Sequence, residues 1–564
     1  MEDGGQVVSS CEVLLASLCK FVSPEEEDDG RRRRRSLEKN FLVLVAFARS
    51  SDGRQKLAEA NAIPLLLPLL PEFARSLPSS LQQNQFHLLI LLLKLLRNLC
   101  AGNGINQDSF LQCKGLETLA WIAHSLLESS PSTRRVLPPP HAAETLQMLL
   151  QVVANVAGRG ELSHAVVWEN FFPAIFGGMA EVLSQKVQEP LCMVLSTCCK
   201  GSKKSCMEIL SSQGIPIIAS ILNADMSYGG GSMVARNEWL EMLITHLCLI
   251  EEQCFPLLFT ELGIPRTTTQ HLPQQPEAPL SHKLETKLPS KEQASLLEIL
   301  CVWIEEDGGK AREETAEGGG DSLTPPRPPL LPMECAGFLV DVIRHAAQCA
   351  ASDGLCATAF PTNMPVLDVL GLSLSMARIH CAWDKTLTSA KEPNGETITM
   401  AAKLASNGLI ALMLDMLQAL GPPQSARPGV PPEHSTNKSF LHCRERFPTW
   451  DPYKGYRRDI VAVIANASYR NFHIQEEVRE TDGLYLVLEQ CTTDSNNPFL
   501  REWGLWAIRN LLEGNPRNQH EFADLEAKAS VANPELRDIG ISVELNPETG
   551  RPRLVNVSNA EGNH

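Results

Sequence analysis

The chain has 564 residues and a formal net charge of -16, with 43% hydrophobic residues but only 5% aromatic ones. That length exceeds one simple globular core, and so few aromatics leave leucine and alanine to do the packing, as in stacked helices. The acidic balance argues against non-specific binding to nucleic acid or anionic membrane, and no apolar run approaches the roughly 18 residues that cross a bilayer. Seventeen cysteines occur without one CxxC pair, and most, such as Cys100, Cys192, Cys248 and Cys491, sit among leucines. They read as reduced, buried thiols of a cytoplasmic protein. Glu2 and Asp3 open the chain where a secretory signal would place basic residues.

Residues 1 to 22 read as an amphipathic helix with Val7, Val8, Cys11, Leu14, Leu15 and Leu18 on one side. Glu25 to Asp29 and Arg31 to Arg35 form opposite charge runs, expected as a solvated inter-helix loop, with nuclear localisation the alternative. From Leu37 helical units follow one another, and Phe41 to Leu70 has the outline of one armadillo-type step with Pro64 opening a helix. The small-residue junction after each short helix returns at Gly115, Gly214 and Gly263, steps of 53, 99 and 49 from Ala62, with a degenerate junction expected near Phe172-Pro173. These steps exceed the roughly 40 to 47 residues of such units, so loops are inserted, one at Ser129 to Pro140. Pro265 to Pro289 and Glu305 to Pro332 have the composition of disordered linkers around one isolated helix, Lys291 to Trp303. Helical stretches at Cys335 to Ala351 and Val366 to Cys381 precede a junction helix ending at Leu420. Gly421 to Lys438 holds five prolines, and Phe447 to Asp459 is an extended, aromatic lead-in to the final block. Beyond Leu525, Ile541 to Leu545 and Arg553 to Val557 alternate apolar and polar residues, as a terminal hairpin does.

The chain therefore divides into 1–265 (N-terminal repeats), 266–332 (linkers around a helix), 333–420 (middle repeats), 421–455 (loop and lead-in), 456–530 (C-terminal repeats) and 531–564 (tail). Its strongest internal signal is long-range. Arg501 to Gln519 reads REWGLWAIRNLLEGNPRNQ and Leu95 to Gln107 reads LLRNLCAGNGINQ. Arg97-Asn98-Leu99, Gly102-Asn103 and Asn106-Gln107 match Arg509-Asn510-Leu511, Gly514-Asn515 and Asn518-Gln519, each 412 residues apart (509 minus 97). Asn466 followed by Asn471, and Asn155 in VANVAGRG, repeat the pattern more weakly. A helix ending in Asn, a small residue and a turn, used repeatedly, marks an array whose units bury their apolar faces against one another.

The final block resembles the C-terminal domain of the ataxin-10 family. The resemblance is carried by Arg458-Asp459, Ile464, Asn466, Tyr469-Arg470-Asn471, Gln475, Val478-Arg479, Gly483, Asn496-Asn497-Pro498-Phe499, Arg501-Glu502-Trp503 and Trp506 through Gln519, in about 100 of the 564 residues. It implies an armadillo-like α-solenoid and a non-catalytic cytoplasmic interaction protein linked to cytokinesis and cell survival. The family offers no catalytic residues to carry over.

No catalytic, cofactor or metal signature holds. A P-loop would need glycine at Ile304 and Ser or Thr at Ala311, and GLSLS (Gly371 to Ser375) lacks the last glycine of a nucleophile elbow. No HExxH or paired-His spacing occurs. The sharper expectation concerns Asn98, Asn155, Asn466 and Asn510, placed on third helices, where an amide can donate to and accept from a peptide backbone. Trp506, one turn before Asn510, would share that groove with Trp503 in packing, while Lys94, Gln151 and Ala462 take its place elsewhere. The alternative is that each Asn bonds the neighbouring repeat's backbone and sets the stacking. Arg501, Arg509 and Arg517 are expected to pair with Glu502, Glu513 and Glu521. The expected architecture is all-α, an armadillo/HEAT-like right-handed solenoid with inserted disordered loops, binding other proteins along its concave face. The alternative function is an importin-like adaptor gripping basic peptide segments.

Overall fold

The computed structural model describes residues 30–75, 83–128, 140–228, 237–264, 288–317, 331–351, 365–383, 390–391, 397–423, 447–523, 541–545 and 552–556. The helix expected over 1–22 lies outside them, as do most of the inserted loops and the proline-rich stretch from 424 onward. The residues fall into two compact units, Met1–Ala346 with Phe360–Ser373, and Ala347–Ala359 with Leu374–His564.

In the first unit the helices are α1 (Gly30–Phe47), α2 (Ser51–Glu59), α3 (Ala62–Leu66), α4 (Leu69–Ala74), α5 (Gln83–Cys100), α6 (Gly104–Gln112), α7 (Gly115–Glu128) and α8 (Pro140–Ala157). They continue as α9 (Glu161–Phe171), α10 (Ala174–Ala180), α11 (Gln185–Lys200), α12 (Lys203–Ile209), α13 (Ile215–Tyr228), α14 (Glu238–Leu249), α15 (Cys254–Leu262), α16 (Lys291–Glu317) and α17 (Cys335–Ala350). A short helix, a junction helix and a long third helix recur, and the long ones stack in series: α1 on α5, α5 on α8, α8 on α11, α11 on α14 and α14 on α16. A third helix is therefore walled in on most sides. In α5 every residue from Leu88 to Cys100 except Lys94 and Arg97 is buried, which is why the segment is apolar almost all round.

Two expectations are corrected here. Arg31 to Arg35 are not a loop, because they form the first turns of α1. The Lys291 helix is not isolated, because α16 packs on α13, α14 and α15 and buries Leu296, Leu297, Leu300 and Ile304. The degenerate junction is real: α9 ends at Phe171 and α10 starts at Ala174, with Phe172-Pro173 between them.

The second unit takes α18 (Pro365–Trp383) from Leu374 onward and adds α19 (Met400–Ser406), α20 (Leu409–Leu420), α21 (Tyr456–Ala467), α22 (Phe472–Glu480), α23 (Gly483–Leu488), α24 (Leu500–Leu512) and α25 (Pro516–Ala523). The third helices α21 and α24 pack along each other, and α20 covers the other side of α21. Gly504 allows α24 to approach α23, since a Cβ there would lie 3.0 Å from the Gln490 carbonyl. The lead-in is clamped rather than loose. Asn497 Oδ1 accepts from Arg457 N at 2.9 Å, its Nδ2 donates to Asp451 Oδ2 at 2.9 Å, and the buried Arg457 guanidinium donates to Gly421 O and Gln490 Oε1. The terminal hairpin is present as β3 (Ile541–Leu545) and β4 (Pro552–Asn556), antiparallel with Val543 opposite Leu554, after a two-residue ladder of β1 (Ala390–Lys391) and β2 (Thr397–Ile398). Among the described residues no single helix is long and apolar enough to cross a membrane.

Candidate functional site: the amide-bolted ends of the third helices

Three of the third helices, α5, α21 and α24, stop at a left-handed residue in the same place, Gly102 (φ 63), Arg470 (φ 51) and Gly514 (φ 71). An Asn then caps the next helix: Asn103 accepts from Asn106 N, Asn471 from Ile474 N and Asn515 from Asn518 N. The four residues singled out as candidate ligand-binding amides stand five positions before these caps, or before Gly160 in the case of Asn155.

Each of the four donates to a main-chain carbonyl of a preceding third helix. Asn98 Nδ2 reaches Val45 O at 3.1 Å, Asn155 Nδ2 reaches Arg97 O at 2.8 Å, Asn466 Nδ2 reaches Arg378 O at 3.1 Å and Asn510 Nδ2 reaches Ala465 O at 2.7 Å. The acceptors correspond as well as the donors do: Arg97 immediately precedes Asn98, and Ala465 immediately precedes Asn466. Asn510 is 1% exposed and Asn98 9%, whereas Asn155 is half-buried.

Three of the helices tighten their own ends to offer the carbonyls of Val45, Arg97 and Ala465. The amide four residues after an accepting carbonyl would ordinarily take it. Instead Arg49 N bonds Ala46 O, Ala101 N bonds Asn98 O and Tyr469 N bonds Asn466 O, each one residue short. Where the next helix supplies no Asn the ordinary bond persists, as in Gly158 N to Ala154 O ahead of α11 and Glu513 N to Arg509 O at α24. The Asn thus satisfies a helix-end carbonyl that its neighbour has left open.

A second set of amides completes the joint, with roles that sequence reasoning missed. Gln107 Nε2 bonds Cys100 O at 2.8 Å and, across the joint, Asn155 O at 2.9 Å. Gln475 Nε2 does the same with Ser468 O at 3.2 Å and Asn510 O at 2.8 Å. Asn106 Nδ2 joins Leu99 O to Arg54 O, and Asn518 Nδ2 joins Leu511 O to Gln475 O. Every third helix held this way is gripped from both directions. The available signal was the 412-residue match of Asn106-Gln107 to Asn518-Gln519, which marks these side chains as part of the repeat.

Trp506 differs from the Asn residues. It is 45% exposed, and the Arg509 guanidinium lies over its ring, 5.4 Å from the centroid. Leu505, Arg501 and Glu502 are exposed with it, and Phe499 is 69% exposed beside them, while Trp503 is half-buried. At the equivalent places on α21, 44 residues earlier (510 minus 466), Val461, Ala462 and Ala465 are buried, because α24 covers them. On α5, Lys94 pairs with Glu144 of α8 at 2.9 Å and Arg97 donates to Gln151 Oε1 at 3.0 Å. The face of α24 bearing Leu505 and Trp506 is therefore the one that carries a following helix elsewhere in the array. The expected Arg–Glu pairing within the block is corrected: Arg517 pairs with Glu476 of α22 at 3.1 Å, and Arg509 serves Trp506. Arg479, then Asn515, then Arg517 hold the Glu476 carboxyl down at about 2. Among the described residues no group of three His, Cys, Asp or Glu side chains is placed to hold a metal ion.

Serially stacked third helices, four of them bolted to the preceding one through an Asn near the C-terminal end, define an armadillo-like α-solenoid. Residues 456–555 match the family model described as the spinocerebellar ataxia type 10 protein domain. This match and those that follow support the ataxin-10 family for the chain. It is 38% identical over 108 residues to an ataxin-10 homolog from Dictyostelium discoideum, a match covering 19% of this chain and 18% of that one. It is 23% identical over 484 residues to ataxin-10 from Homo sapiens, covering 85% of this chain and 83% of that one. A designed armadillo repeat protein in complex with the peptide (KR)4 superposes with a TM-score of 0.33 at 14% identity, over 51% of this chain and 97% of that one. So loose a superposition adds nothing to the armadillo assignment, which stands on the helix stack and its amide joints.

Proposed function

We propose that the chain is a non-catalytic protein-interaction scaffold, acting in the cytoplasm in the regulation of cytokinesis and cell survival, the role implied by its family. The observation that carries the interaction reading is the open face of α24, where Phe499, Leu505 and Trp506 are exposed within the block that matches the family model. Its occupant is an α-helix of a partner protein, since a helix covers the equivalent face of both α5 and α21. Asn98, Asn155, Asn466 and Asn510 contribute by holding the array in register, and Trp506 with Leu505 contributes the contact.

The test is a photo-crosslinking residue at Leu505 in the full chain, expressed in dividing cells, with crosslinked peptides identified by mass spectrometry. The expected product joins position 505 to one helix of a different protein, and Trp506→Ala lowers its yield while leaving the melting temperature in place. Crosslinks confined to residues 524–564 or to a second copy of the chain would overturn the partner-helix reading. For the cellular role, depletion should delay abscission, and the wild-type chain but not Trp506→Ala should restore it.

A further inference from the structure

Three glutamines hold one position in the array. Gln107 on α6, Gln475 on α22 and Gln519 on α25 each stand four residues after a capping Asn, which is Asn103, Asn471 or Asn515. Each directs Nε2 to the carbonyl seven residues back, at the end of the third helix before it: Gln107 to Cys100 O at 2.8 Å, Gln475 to Ser468 O at 3.2 Å and Gln519 to Leu512 O at 2.8 Å. The first two also donate across the joint to the following third helix, Gln107 to Asn155 O of α8 at 2.9 Å and Gln475 to Asn510 O of α24 at 2.8 Å. Gln519 is exposed, and among the described residues it makes the first bond alone. The incoming half of its joint is complete, since Asn518 Nδ2 holds Gln475 O and Leu511 O. The last joint is therefore half made, with one amide hydrogen aimed outward.

The two completed joints show what that hydrogen takes. Both acceptors are third from the end of their helix, Asn155 in α8 (Pro140–Ala157) and Asn510 in α24 (Leu500–Leu512). Carbonyls in the last turn of an α-helix have no intrahelical amide to accept from, whereas those farther in are taken. Arg159 N, four residues after Asn155, bonds Val156 O and leaves the Asn155 carbonyl to Gln107. The completed joints also share a direction. Lys94 meets Glu144, Arg97 meets Gln151 and Gln107 meets Asn155, so the contacts advance along α5 and α8 together and the two helices run parallel. In the same way Asn497, ahead of α24, bonds Arg457 at the start of α21, and Asn510 bonds Ala465 near its end.

We propose that the partner helix on α24 lies parallel to it and ends over α25, where a carbonyl of its last turn accepts the second Nε2 hydrogen of Gln519; this rests on the reading of the α24 face as the site of a partner helix. The ligand class is the C-terminal end of an α-helix. A helix N-terminus would set amide donors against a donor, and a helix that ran on past the joint would have no open carbonyl to offer. The side chains follow the completed joints. Arg97 donates to Gln151, one turn before Asn155, and Arg509 corresponds to Arg97, so the partner carries Gln or Glu one turn before its accepting residue. Asp108 and Glu476, next after the first two glutamines, pair with Arg159 and Arg517 of the following unit. His520 takes that position after Gln519, so no arginine is required of the partner there.

The test places a photo-crosslinking residue at Leu505 or at exposed Ala523, one turn beyond Gln519, in the full chain expressed in dividing cells. Both positions should reach one segment of one partner protein. In that segment the residue joined to 505 should precede the residue joined to 523 by at least about 7 to 11 residues, the distances of Met148 and Glu144 from Asn155 (155 minus 148 and 155 minus 144). Gln519→Leu removes the donor from an exposed site and should lower the yield at 505 about three- to tenfold with the urea midpoint in place. Gln519→Glu turns an acceptor toward the carbonyl and should lower it further. The reverse order of the two crosslinks, different partner segments at 505 and 523, or an unchanged yield in both Gln519 variants would overturn the parallel, helix-ending dock while a partner helix on α24 stands. Crosslinks from 505 that reach no helix of another protein would overturn the reading of the face itself, and this one with it.

Discussion

Removing the amide of Asn510 tests the stacking account most directly. Asn510 Nδ2 lies 2.7 Å from Ala465 O in a site 1% exposed, and Tyr469 N, which would otherwise take that carbonyl, is bonded to Asn466 O. Only the Ser468 hydroxyl, at 3.3 Å, would remain on Ala465 O. A buried carbonyl left mostly unsatisfied costs about 1–3 kcal/mol, so Asn510→Ala should destabilise by about 2 kcal/mol. Asn510→Asp keeps the shape but sets an acceptor against an acceptor, and it should cost more than alanine. At half-buried Asn155 water can replace the amide, so Asn155→Ala should cost about 1 kcal/mol or less. Urea unfolding of the full chain followed by tryptophan fluorescence is the assay, because Trp503 and Trp506 sit on the affected helix. A loss below about 0.5 kcal/mol for Asn510→Ala, or an Asp variant more stable than the Ala one, would refute the capping role.

The same joint predicts a contrast between two glutamines. Gln475 Nε2 serves the carbonyls of Ser468, Asn510 and Glu513, whereas exposed Gln519 serves Leu512 alone; Gln475→Leu should cost about 2–3 kcal/mol and Gln519→Leu under about 0.5 kcal/mol in the same unfolding assay. Arg470 holds a left-handed conformation (φ 51) where the matching joints have Gly102 and Gly514, so Arg470→Gly should stabilise the chain by about 0.5–1 kcal/mol, read as a raised urea midpoint. Burial pushes the His380 imidazole down from 6.5 to about 4. Below 6.5 the unfolded imidazole takes up a proton that the folded one refuses, so stability falls as the pH is lowered and levels off near 4. His380→Leu should remove about 3 kcal/mol of the fall measured between pH 7 and 4.

Breaking the ordinary helix bond only where the next helix brings an Asn makes each joint a two-part fit. A helix end alone would leave a carbonyl open, and an Asn alone would bury an unpartnered amide. Each part therefore stabilises only when the neighbouring unit is seated, which couples adjacent repeats in a chain where units contact mainly their neighbours. At α24 the Arg509 carbonyl keeps its own Glu513 partner, so no amide is required of whatever covers Trp506.

The sequence by itself determined the helical repeats, the family and the corresponding positions in distant units, because periodicity and cap residues are local properties that survive repetition. It placed Asn98 and Asn510 in the same role 412 residues apart and located the degenerate junction at Phe172-Pro173. It could not choose between a ligand and a neighbouring helix for those amides. The acceptors lie 53 residues from Asn98 and 45 from Asn510, and a carbonyl becomes available only when its own helix end has tightened. Only the tertiary structure decided that Lys291 starts a helix within the stack, since its burial depends on three helices from earlier in the chain.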